Sequence, residues 1–159
     1  MAKEIERKFL VKGDSYKRLA TAILFRQGYL SRQKERVVRV RVVGDKGYLT
    51  IKGENRGAER DEFEYAIPIA DAHQLLDQLC EHPLIEKYRY TIPWGKHIWE
   101  VDEFLGENLG LVLAEIELKA VEEQFDKPDW IGQEVTGDPR YYNTNLTQHP
   151  FSQWKDEVI

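Results

Sequence analysis

A single cysteine, Cys80, stands in 159 residues. No disulfide can form within the chain, and a reducing cytoplasm is the simplest setting for it. No apolar run is long enough to span a bilayer. Charged residues begin at once, without the apolar stretch of a secretory leader, so no membrane partner is expected. Nor is base in excess: 23 lysines and arginines against 28 aspartates and glutamates give a formal net charge of −5. That balance argues against a general nucleic-acid binder but leaves room for a local basic site. Low-complexity segments and repeats at a solenoid period are also missing. What is there, 42% of it apolar, suffices for one globular domain with its own core, taken here as residues 1–159.

The organising stretch is Glu4-Ile5-Glu6-Arg7-Lys8-Phe9-Leu10. Read as a strand, it puts Glu4, Glu6 and Lys8 on one face and mainly Ile5, Phe9 and Val11 on the other. Carboxylates at that spacing can hold a hard divalent cation, and the ammonium can hold an anion. The pattern repeats down the chain. Arg39 and Arg41 oppose Val38, Val40 and Val42; Tyr48, Thr50 and Lys52 oppose Leu49 and Ile51, after a hairpin turn at Gly44–Gly47. Glu62 and Glu64 oppose Phe63, Tyr65 and Ile67, with Arg60 on the carboxylate face. Lys87 and Arg89 oppose Tyr88, Tyr90 and Ile92; Glu100 and Asp102 oppose Trp99, Val101 and Glu103; Glu115 and Glu117 oppose Ala114, Ile116 and Leu118. A strand over Phe25–Ser31 carries Gln27 and Tyr29 on one face, and Gly28 permits a bulge or close approach.

Helical spacing appears between these strands. Tyr16, Leu19, Ala20 and Ile23 predict a short amphipathic helix, and Ala72, Leu75, Leu76 and Leu79 predict the buried stripe of another over Ala70–Glu81. His73 and Cys80 are read as surface or core residues of that helix, without a metal role. A helix is expected to start over Ala120–Gln124, a short edge strand over Glu134–Thr136, and a last helical segment after Asp138-Pro139, anchored by Tyr141, Tyr142 and Leu146. The chain from Phe151 onward is expected to be loosely held. If the apolar strand faces met inside a barrel, the helical stripes would lack a partner. The opposite closure gives them one, with helices outside and charges turned into a central lumen. Such a lumen needs interleaved acids and bases, water, metal or an anionic ligand, because isolated buried charges are prohibitive.

The ordered set Glu4-x-Glu6-x-Lys8, Arg39-x-Arg41, Lys52, Glu62-x-Glu64, Lys87-x-Arg89, Asp102 and Glu115-x-Glu117, with Gly132–Thr136 and Tyr142–Leu146 at the end, resembles the CYTH, or triphosphate tunnel metalloenzyme, family over nearly the whole chain. That resemblance implies an α+β fold: an eight-stranded antiparallel β-barrel, or tunnel, with helices packed on its outside. It implies that Lys8, Arg39, Arg41, Lys52, Lys87 and Arg89 bind the triphosphate. It implies that Glu4, Glu6, Glu115 and Glu117 hold Mg²⁺ or Mn²⁺, with Asp102, Glu62 and Glu64 as further ligands or acceptors. Lys87, joined by Tyr29, is the family-based choice for activating water. The expected reaction is hydrolysis of inorganic tripolyphosphate to pyrophosphate and phosphate, by a monomer or homodimer. Adenylate cyclisation, thiamine triphosphate hydrolysis and non-catalytic polyphosphate or nucleotide binding are the alternatives.

Overall fold

The computed structural model describes residues 3–156. Alternating sequences form the strands β1 (Lys3–Val11), β2 (Ile23–Ser31), β3 (Arg36–Val43), β4 (Lys46–Gly53), β5 (Glu59–Ile67), β6 (Glu81–Trp94), β7 (His97–Phe104) and β8 (Val112–Glu117), with a short β9 at Ile131–Glu134. The helices are α1 (Ile69–Gln78) and α2 (Asn143–Gln148). Every pairing is antiparallel, in the order β5-β4-β3-β2-β6-β7-β8-β1, and β1 pairs back onto β5 to close an eight-stranded barrel. β9 adds to β1 at its C-terminal end. Along that edge of β1, β5 holds Lys3–Ile5 and β9 begins at Phe9, so the two strands part and leave a fork between them.

Three apolar clusters show how the barrel is dressed. On the outer face of β2–β4, Val40 and Val42 pack under Ala72 and Leu76 of α1. Leu76 is fully buried there, worth about 1.5–3 kcal/mol over exposure. The approach is close: a Cβ on Gly28 would lie 2.7 Å from Leu84 Cδ2 and 3.0 Å from the Cys80 Cβ. β2 also shifts register on both sides of Tyr29. On the outer face of β1 and β6–β8, Phe9, Tyr90, Trp99, Val101 and Ile116 are covered by irregular chain carrying Phe125 and Trp130. Trp99 meets Phe9 and Trp130 edge-on, at 5.5 and 6.0 Å between ring centres. The third cluster joins Ile85, Phe104 and Leu113 to Tyr141, Leu146 and Trp154. These strand residues share a face with Lys87, Asp102 and Glu115, so α2 and the flanking 3-10 turns close one end of the barrel.

Several expectations from periodicity change. The predicted helix after Gly13 is only a 3-10 turn, Ser15–Arg18, because β2 claims Ile23 and Leu24. Leu79 is 67% exposed, since α1 ends at Gln78, one residue before it. No helix forms over 120–124; that stretch belongs to the irregular cover, fastened by a 2.5 Å contact between His97 Nε2 and Glu123 Oε2. The edge strand lies at Ile131–Glu134 rather than 134–136. Residues 151–156 form a 3-10 helix with Trp154 buried, rather than a loose tail, while 157–159 lie outside the described residues.

Candidate active site

The charged side chains pair with those of neighbouring and next-but-one strands around the closed sheet. Lys52 Nζ on β4 reaches over β5 to Glu4 on β1, at 3.2 and 3.3 Å from its two oxygens, and lies 3.3 Å from Glu62. Arg41 donates to Glu64 at 3.1 Å, while Arg39 approaches Thr50 at 3.4 Å and Glu64 at 3.8 Å. Lys8 Nζ donates to the Tyr141 carbonyl at 3.2 Å and stands 3.6 Å from Glu115. Arg89 grips Asp102 in two-pronged fashion, at 2.7 and 2.9 Å, and reaches Glu100 at 3.2 Å. Lys87 pairs with Asp102 at 2.7 Å, with both partners almost wholly buried.

A cavity of about 320 Å³ opens at the fork in β1, between Gly57-Ala58 and Thr136-Gly137. It gathers Glu6, Lys8, Tyr29, Arg39, Lys52, Arg89 and Glu115 from the expected set. Arg41, Lys87, Glu4, Glu62, Glu64, Asp102 and Glu117 stand off its lining. Lys87 lies behind the Arg89–Asp102 pair, Arg41 stacks on Phe25 and Tyr48, and Glu117 is exposed. Both Asp102 oxygens are already taken by Arg89 and Lys87.

The electrostatics follow from this crowding. Burial, with Glu62 and Glu115 nearby, pushes the Glu4 carboxyl up to about 7 against the pull of Lys52. Burial and the charges of Glu115 and Glu4 push Glu6 well above the ordinary range. Glu115 goes the other way: burial opposes its charge, but Lys8 and Arg89 outweigh it. Burial pushes Lys87 down to about 8 even though Asp102 holds its proton. The Tyr29 hydroxyl is raised by burial against the nearby charges of Arg39, Lys8 and Arg60, so it stays protonated at neutral pH. Among the described residues no three carboxylate, histidine or cysteine side chains close on one point. The donors instead lie against each other in pairs, Glu4 with Glu62 and Glu6 with Glu115. Crowded hard oxygen donors, one of each pair pushed toward keeping its proton, suit a hard divalent cation. The Nε atoms of Arg39 and Arg41 are buried without hydrogen-bond partners. Orphaned donors of this kind suit an anion's oxygens.

The sequence profile of the CYTH domain matches residues 2–145. The chain belongs to the CYTH family. A CYTH relative from Acetivibrio thermocellus, named inorganic triphosphatase, is 57% identical over 156 residues, spanning 98% of this chain and all of that one. A second so named, from Nitrosomonas europaea, is 36% identical over 148 residues, covering 90% and 95% of the two chains. A solved inorganic triphosphatase superposes with a TM-score of 0.61 at 32% identity, over 90% of this chain and 96% of that one. The CYTH cavity also contains groups outside the expected set: Lys34, Asn55, Arg60, Thr136, Asn143 and Thr144. Arg60 was legible, since it shares the face of Glu62 and Glu64. Thr136, Asn143 and Thr144 fall in the C-terminal stretches that carry the family resemblance, without a role being read for them, while Lys34 and Asn55 sit on connections where no periodicity marks them.

Proposed function

We propose that this CYTH protein hydrolyses triphosphates with Mg²⁺ or Mn²⁺, and that inorganic tripolyphosphate, cleaved to pyrophosphate and phosphate, is its main substrate. The observation that carries this reading is the cavity wall itself. Glu6, whose carboxyl is pushed well above its ordinary range, and its neighbour Glu115 line it together with Arg39, whose buried Nε has no partner. The names of the two relatives point to the same reaction. When bound, a divalent cation would neutralise phosphate charge and polarise the transferred group, and Glu4, Glu6, Glu62, Glu115 and Glu117 are the residues to hold it.

The chain's own groups do the rest. Lys8, Arg39, Arg41, Lys52 and Arg89 fix the phosphate oxygens and stabilise charge on the leaving pyrophosphate. Water adds to the terminal phosphorus as the bridging P–O bond breaks, and the water's proton must be accepted. Lys87, which yields its own proton more readily than an ordinary lysine, is the family-implied candidate; standing off the cavity wall, it would have to be neutral and take that proton through an intervening water. Tyr29 faces the cavity as a hydroxyl donor. The buried thiol of Cys80 fits a reducing cytoplasm. No helix among the described residues is long and apolar enough to cross a membrane.

The test is a panel of tripolyphosphate, ATP and thiamine triphosphate, run with Mg²⁺, with Mn²⁺ and with chelator. Phosphate release from tripolyphosphate that needs metal, and that Glu6→Gln abolishes while the melting curve stays cooperative, is expected. Cyclic AMP from ATP, or metal-independent turnover, would contradict the reading.

A further inference from the structure

The cations of the cavity are not equivalent. Of the six that line it, four already face carboxylates: Lys8 meets Glu115, Arg39 meets Glu64, Lys52 meets Glu4 and Glu62, and Arg89 meets Asp102 and Glu100. Their fields are largely cancelled before any ligand arrives. Lys34 and Arg60 differ. Neither makes an ion pair with a carboxylate among the described residues. Arg60 spends two of its donors on the Gly53 carbonyl, at 3.2 and 2.9 Å, and keeps its guanidinium on the cavity wall, where its charge reaches the Tyr29 hydroxyl. Lys34 comes from the β2–β3 connection and is exposed. Beside them Asn55 and Asn143 line the same cavity. The exposed carboxylate Glu54 lines the same cavity, without an ion pair to either among the described residues.

An approaching polyanion responds to the charge that is left over, not to the number of cations present. We propose that Lys34 and Arg60 are the substrate-capture residues of this CYTH protein, drawing a polyphosphate anion into the cavity and holding its outer end. The assignment rests on the triphosphatase reading above and adds to it a division of labour. The inner, carboxylate-paired cations serve the reacting phosphoryl group, and the outer, unpaired ones govern affinity. Glu54 is the counterweight, and removing its charge should strengthen capture.

Steady-state hydrolysis of tripolyphosphate over a range of salt tests this, with calorimetric binding of tripolyphosphate alongside. Charge-assisted contacts of this exposure predict that Lys34→Gln raises KM about fivefold and Arg60→Gln about twentyfold, with kcat held within about twofold. Both effects should shrink as salt rises from about 0.05 to about 0.5 M. Glu54→Gln should lower KM. Arg60→Lys should recover most of the affinity, which separates charge from the bond to Gly53. Lys12→Gln, an exposed lysine off the cavity, is the control and should change nothing. Unchanged KM and unchanged binding in Lys34→Gln and Arg60→Gln, in a protein that still hydrolyses tripolyphosphate, would overturn the capture assignment and leave the triphosphatase reading standing. A wild-type protein that turns over no triphosphate would overturn that reading instead, and the calorimetric affinities of the same variants would still decide capture.

Discussion

Asp102 accepts from two cations at once, and that double duty makes it the residue whose loss should cost most. Lys87 and Arg89 both depend on it, and it is almost wholly buried. Burial alone would raise its carboxyl; Arg89 and Lys87 instead hold it far below the ordinary range. Asp102→Asn keeps the shape and removes the charge, which strands Lys87 inside without a counter-ion. We expect a loss of about 3–5 kcal/mol in urea unfolding; a loss below about 1 kcal/mol would show that the cluster is not held together by this carboxylate. At this scale the sequence was a good guide to direction and a poor one to depth. Alternation put Lys87 and Arg89 on the same face. It could not say that Arg89 reaches the cavity while Lys87 lies behind it, because depth depends on strand tilt and on the size of the neighbours, here Phe25 and Phe104.

One element shuts an end of the barrel and another fastens to its outer face, and each carries a prediction. The segment after β9 shuts one end, with Leu146 of α2 fully buried against Ile85 and Phe104. Leu146→Ala should cost about 2–5 kcal/mol by transfer and cavity. It should also weaken substrate binding, because Tyr141, which packs in the same cluster, presents its carbonyl to Lys8. Stability lost with binding untouched would separate the plug from the site. The 3-10 turn at Ser15–Arg18 is tied to β7 through Glu103, which accepts from Tyr16 at 2.9 Å and pairs with Lys17 at 3.0 Å. Burial works against the Glu103 charge, but Lys17, Tyr16 and Tyr90 outweigh it and hold its carboxyl below the ordinary 4.5. A carboxyl lowered by folding stabilises the native state above its unfolded value, and that stability disappears as pH falls through the folded value. Glu103→Gln should therefore lower stability at neutral pH and flatten its decline below about pH 4.5. An unchanged acid limb in denaturant titrations would contradict the link.

At the scale of the whole molecule, the closed eight-stranded antiparallel sheet was legible and its cover was not. The strands announced themselves because a two-residue period survives wherever one face is charged and the other apolar. Among the described helices, α1 packs its apolar stripe on the outer face. The second large outer face is covered instead by irregular chain through residues 119–131, fixed by Phe125 and Trp130, and such a segment has no period to read. The cavity mouth escaped for a related reason. Lys34 and Asn55 come from connections and Asn143 from the start of α2, far apart in sequence, and the fold brings them to one opening. By contrast, the carboxylate dyads of β1, β5 and β8 and the arginines of β3 lie in regular strands, where spacing and chemistry could be read together.

The most direct measurement is a crystal structure of the protein with tripolyphosphate and Mg²⁺. The three phosphorus atoms should lie inside the closed sheet, within reach of Lys8, Arg39, Lys52 and Arg89, with the ion on Glu6 and Glu115. Phosphate bound on the outer face, beneath α1 or the 119–131 cover, with those side chains still paired only to one another, would contradict the account.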